Sequence, residues 1–178
     1  MNTDPPAVFR TEVLCQRVDA LDSAVDLNAW QTSKDPAGTL DGLRDRVAVC
    51  VDVAPDGAHV SLVAAAETDG HIRLEVVEAW DSTDAARREL PELLERIKPR
   101  AAAWYPSGPA AALGPLLRSL GAIELTGQKV TEACQGLADL VATGRIVHPG
   151  DPLLDQHIGG ASKYYVGDGW RFARRGAG

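Results

Sequence analysis

Cysteine is scarce and poorly placed for pairing. Only Cys15, Cys50 and Cys134 occur in 178 residues. Their odd number, wide spacing and lack of any Cys-x-x-Cys pair exclude a zinc ribbon or a disulfide framework. No stretch approaches the ~20 consecutive apolar residues that span a bilayer. The opening MNTDPPAVFR has no basic region followed by an apolar run, so no secretory signal is expected. A soluble, intracellular protein is expected. No Gly-x-x-x-x-Gly-Lys-Ser/Thr phosphate loop is present, which excludes an ATPase site from these residues. Positive charge is also short: 18 Lys/Arg stand against 25 Asp/Glu, a net charge of −7. Residues 1–120 carry 12 against 19, and residues 121–178 carry six against six. A uniformly basic nucleic-acid-binding domain is therefore excluded, while a local basic site remains allowed.

What is present is globular. The hydrophobic fraction is 45% and the charged fraction 24%, and the length fits one domain with a short appended segment. Residues 1–46 open without strong alternation. Phe9, Val13, Leu14 and Val18 have roughly helical spacing, a short helix is expected near Asp26–Trp30, and a turn near Asp35–Gly38. The segment reads as a lead-in and not as part of a core.

The run VAVCVDV at 47–53 has the pattern of a central strand buried on both faces. Pro55-Asp56-Gly57, a strand over 59–66, a turn at Thr68-Asp69-Gly70 and an alternating strand over 71–80 complete an antiparallel meander. Ser82 or Thr83 caps a helix to about Lys98, with a kink or break expected at Pro91. A strand over 100–105, a helix from Ser107 to Gly121, a brief strand over 122–125, a helix within 126–144, a helix over 151–164 and a strand near 170–174 follow. A meander followed by alternating helices and strands is an α/β fold with a mixed, ribonuclease H-like sheet.

Asp52 is the most informative residue. An ionised carboxylate inside an apolar strand needs a metal ion, an arginine or exposure at the strand end. The bland alternative is a cap on the Pro55–Gly57 turn amides. Asp56 reads as a hairpin residue, Glu132 and Asp139 as a solvated helix face, and Asp151 and Asp155 as a polar helix start. Asp168 reads as a turn residue that could also act as a distal acid. His148 and His157 read as surface or loop residues, and Cys50 and Cys134 as packed thiols without a base. Lys163, Arg171, Arg174 and Arg175 form a local positive cluster. It suits either phosphate contact or an edge strand guarded by charge.

The blocks FRTEVLCQRVD, VCVDVAPDG, HVSLVAAA, WYPSGPAAAL, TEACQGLADLVATGRIVHPGDPLLDQHIGGA and GDGWRFARRG, in that order, resemble the C-terminal part of phage terminase large subunits of actinobacterial phages and prophages. The resemblance implies a ribonuclease H-like nuclease over residues 47–178, entered through a linker (1–46) from a packaging ATPase domain and cut short at its C-terminus. It implies a two-metal-ion endonuclease using Mg²⁺ or Mn²⁺, with Asp52 bridging the ions; Asp168, Glu132 or Asp56 would have to substitute as a further ligand. It also implies double-stranded DNA as substrate, contacted by Lys163, Arg171, Arg174 and Arg175, and the ATPase domain, small terminase subunit and portal as partners. Two departures qualify it. Tyr105-Pro106-Ser107-Gly108 stands where the family places a second acid, and Gly178 ends the sequence where a third would follow. The alternative is a catalytically incomplete module that docks DNA, the portal or the small subunit.

Overall fold

The structure, a computed structural model, describes residues 23–173. Eight strands are formed: β1 (Ala48–Val53), β2 (Val60–Thr68), β3 (His71–Trp80), β4 (Ala101–Trp104), β5 (Ile123–Glu124), β6 (Ile146–Val147), β7 (Lys163–Val166) and β8 (Gly169–Phe172). The α-helices are α1 (Leu27–Thr32), α2 (Thr83–Ile97), α3 (Gly114–Ser119), α4 (Gln128–Ala142) and α5 (Pro152–Gly159), with 3₁₀ turns at Asp41–Arg46 and Gly108–Leu113.

The main sheet has the order β5-β4-β1-β2-β3-β6. β1, β2 and β3 pair antiparallel, while β4 runs parallel to β1, β5 parallel to β4 and β6 parallel to β3. The meander closes through tight turns. In the second of them Asp69 and Gly70 both take positive φ (50° and 78°), the backbone that matches the twist of paired strands. This is the expected ribonuclease H-like mixed sheet, with β1 at its centre.

Two cores flank the sheet on opposite faces. The larger joins Val49, Val51 and Val53 of β1 with Val60 and Leu62 of β2, Leu90, Leu93 and Leu94 of α2, and Trp104, Leu113 and Leu117. Helix α2 contributes because Ala86, Leu90, Leu93 and Leu94 fall on one stripe. The Ser82 hydroxyl accepts from Ala85 N at 3.1 Å to start it, and Lys98 closes it in the left-handed region. Pro91 does not break this helix, which runs through it from Thr83 to Ile97. Buried leucines on both sides of the proline pack into the larger core.

The smaller core packs α1, α4, α5 and the β7–β8 hairpin over the β3–β6 end of the other face. It contains Trp30, Val141, Ile146 and Ile158, with Ile72, Leu74, Trp170 and Phe172 against it. The lead-in is therefore partly core, since Trp30 is fully buried. Asp26 caps α1 through Asn28 N and Ala29 N. The Trp30 ring stacks on His148 with centroids 3.8 Å apart.

His148 is buried instead of lying at the surface. Its Nε2 is 2.9 Å from Trp30 O, and Gly150 N donates to its Nδ1. Asp155 accepts from Trp30 Nε1 at 2.8 Å and from Lys34 Nζ at 2.7 Å. Burial acts to raise the Asp155 carboxyl, but the hydrogen bonds from Lys34 and Trp30 outweigh it and hold the group below its ordinary value.

Arg73, also buried, ties the 35–38 loop to β3. It donates to Glu75 at 2.5 Å, to the Asp35 carboxylate at 2.9 Å, and to the carbonyls of Asp35 and Gly38. Gly38 is required there because a Cβ would sit 2.5 Å from the Arg73 guanidinium.

Candidate active site

β1 is buried on one face only, which corrects the expectation of a strand buried on both. Val49, Val51 and Val53 point into the larger core, whereas Ala48 and Cys50 are exposed and Asp52 is half-buried. The cause is unequal cover: the smaller core blankets the β3–β6 half of this face and leaves the β1–β4–β5 half open. Ile123 of β5, on the same side by register with Ala103 and Cys50, is 50% exposed. Asp52 lies near the end of this central strand, half-buried on the open face.

The register fixes what surrounds it. Ser61 of β2 lies directly across from Asp52, and Val63 across from Cys50. Val51 pairs with Trp104 of β4, so Tyr105, the next residue, follows at the level of Asp52. Hydrogen bonds among its own residues help close the turn after β1. Ala54 N donates to His59 O, Gly57 N to Ala54 O, and Ala58 N to the Asp56 carboxylate. Asp56 is accordingly the hairpin residue the sequence suggests.

Cys50 is exposed, not strand-buried. Protein atoms nonetheless crowd its sulfur: desolvation first, and the Asp52 charge second, push the thiol up to about 11. It is a thiol at neutral pH and no nucleophile.

The other sequence candidates scatter. Asp168 lies on the turn between β7 and β8, in a two-stranded sheet separate from the main one. Glu132 and Asp139 lie on α4. Asp151 caps α5 by accepting from Leu153 N and Leu154 N. Among the described residues no three His, Cys, Asp or Glu side chains gather closely enough to hold a metal ion. A pair of ions needs several oxygen ligands, and the described residues around Asp52 do not make up that set.

The basic cluster also divides. Lys163 sits over the Trp170 ring, 5.4 Å from its centroid. Arg171 donates to Thr131 Oγ1 at 3.0 Å and to Gly127 O at 2.9 Å, anchoring β8 to the start of α4. Arg174 and Arg175 lie outside the described residues, as do Cys15 and the FRTEVLCQRVD block. The β7–β8 hairpin itself escapes sequence reasoning. The expected helix over 151–164 stops at Gly159, and Lys163–Val166 form a strand instead. Gly167-Asp168-Gly169 is the available signal for it.

Sheet order and strand directions give a mixed α/β fold of the ribonuclease H-like kind. The fold is shared with the HK97 bacteriophage large terminase (TM-score 0.65, 16% identity, covering 96% of this chain and 43% of that one). It is also shared with the large terminase of a thermophilic bacteriophage (TM-score 0.59, 15% identity, 80% and 38%). A third structure with this fold is the large terminase nuclease of thermophilic phage G20c with bound magnesium (TM-score 0.53, 16% identity, 74% of each chain). The chain spans about two fifths of the length of the first two. No protein-family model and no curated protein sequence matches it. Among the described residues no helix is long and apolar enough to cross a membrane.

Proposed function

We propose that this chain is the nuclease domain of a phage DNA-packaging terminase large subunit, hydrolysing phosphodiester bonds of double-stranded DNA in the bacterial cytoplasm. The observation that carries the reading is Asp52, half-buried near the end of the central strand of a terminase-nuclease-type sheet, on the face left open. Magnesium bound to the G20c nuclease supports a divalent cation, Mg²⁺ or Mn²⁺, as cofactor. Asp52 would supply one ligand. Because the described residues do not complete the set, the remaining ligands must come from elsewhere if cleavage occurs. Residues 1–46 would lead in from a packaging ATPase, with residues 23–46 serving at the same time as part of the nuclease core. The small subunit and the portal are the further partners of this reading.

A specific observation favours a second reading. The absence of a three-ligand cluster among the described residues suits a module that binds DNA or a packaging partner without cutting.

One experiment separates the two. Supercoiled plasmid is incubated with the chain and with Asp52→Asn in Mn²⁺ or Mg²⁺. Nicking that falls at least about a hundredfold in the variant supports the nuclease. Retained DNA binding with no nicking by either protein supports the second reading, and nicking unaffected by the substitution removes Asp52 from the site.

A further inference from the structure

Beside the smaller core, the sheet face that carries Asp52 is lined by small or apolar side chains. Strand register sets them in rows, Ala101, Ala48 and Ala65 in one and Ala103, Cys50 and Val63 in the next. The third row breaks the pattern. Val51 pairs with Trp104, and both are fully buried in the larger core. Alternation therefore carries the residue after each, Asp52 and Tyr105, to the opposite, open face at one level. Ser61 of β2 lies across from Asp52 on its other side. Tyr105, Asp52 and Ser61 thus stand side by side along one row, each half-buried, at a strand spacing of ~4.8 Å.

A carboxylate between two hydroxyls suits a particular ligand. An ionised carboxylate accepts hydrogen bonds and donates none, and a phosphodiester is likewise an acceptor only. The two repel each other unless a donor or a cation stands between them. A phenol and an alcohol are neutral donors that add no charge of their own. Of the pair flanking Asp52, the tyrosine is longer than the aspartate and reaches past it, away from the sheet, whereas the serine is shorter. Tyr105 is therefore the donor placed to meet a group lying over the carboxylate.

We propose that Tyr105 is a substrate-contacting residue of the Asp52 site, its phenolic hydroxyl donating a hydrogen bond to a non-bridging oxygen of the phosphodiester that Asp52 faces. The inference rests on the nuclease reading above and adds to it a residue with a defined task, holding the phosphate beside the acid. It concerns binding, so it is tested in EDTA, where no cation bridges acid and phosphate and nothing is cut.

The full chain, Tyr105→Phe, Asp52→Asn and the double variant are titrated against a fluorescent DNA duplex. With the Asp52 charge in place the phosphate is held off, and Tyr105→Phe should change affinity less than about twofold. Asp52→Asn removes the repulsion and should tighten binding at least about threefold. In that background Tyr105→Phe should weaken binding at least about fivefold, returning it to the wild-type level or below. Tyr105→Phe keeps the ring, so its Tm should stay within about 2 °C of the wild type.

An equal effect of Tyr105→Phe in both backgrounds overturns the inference, because the hydroxyl then serves the fold. No effect in either background overturns it as well, and so does an Asp52→Asn chain that binds no more tightly than the wild type. In each of these cases Asp52-dependent nicking in Mn²⁺ leaves the nuclease reading standing. Coupling between the two substitutions without any nicking upholds the phosphate contact and removes the nuclease alone. Absence of duplex binding by all four proteins overturns the contact outright.

Discussion

Asp155 shows how one carboxylate can join three elements. It accepts hydrogen bonds from Trp30 on α1 and from Lys34 in the loop after α1, and it stands 3.9 Å from the His148 ring. Its folded-state ionisation is held below the ordinary carboxylate value. A depressed acid contributes stability above its unfolded value, near about 3.9, and that contribution is lost as pH falls through the folded value. The smaller core should therefore loosen below about pH 4. Thermal melts from pH 6 downward should show a steeper fall in Tm for the wild type than for Asp155→Asn, and equal slopes would disprove the linkage. Little of this is readable in the residues themselves. Asp52 stands out because it interrupts an apolar run, but which face it occupies depends on where helices pack. His148 gives no periodic signal, and its burial follows from a tryptophan 118 positions earlier.

Among the elements, those with a strong period emerge from the sequence nearly intact. The bounds of the 71–80 strand and the leucine stripe of 83–97 each coincide with the observed element, but the strand does not alternate as expected, since Arg73, between Ile72 and Leu74, is buried. The two-residue strands and the β7–β8 hairpin emerge less well. β6 is too short to carry a period and exists because Ile146 and Val147 meet Ile72 and Arg73. The first strand of the hairpin is hidden at the end of a helical pattern, because Leu153, Leu154 and Ile158 set a helical expectation that runs past Gly159-Gly160. Pro91 is the clearest case of packing overriding local preference. It withholds a backbone donor in mid-helix, a penalty of up to about 3 kcal/mol in isolated helices. Pro91→Ala should therefore raise stability, by about 1–3 kcal/mol in urea unfolding. No change would mean that the buried leucines had already absorbed the cost.

At the scale of the whole molecule, the meander-then-alternation order is enough to anticipate the sheet, because strand pairing follows directly from turn length and period. The division of the second face into a covered and an open half is not so legible. It depends on the contact of residues 23–46 with residues 141–172, which are far apart in sequence and have no shared pattern.

Ser23 forms a β-bridge with Ser162, and Ala24 donates its amide to Ala161 O at 2.9 Å. These two links are the first foothold of the described chain, and they sit immediately before the β7–β8 hairpin. Tension applied at Ser23 would thus reach the root of β7 first, and β1 only through the elements between them.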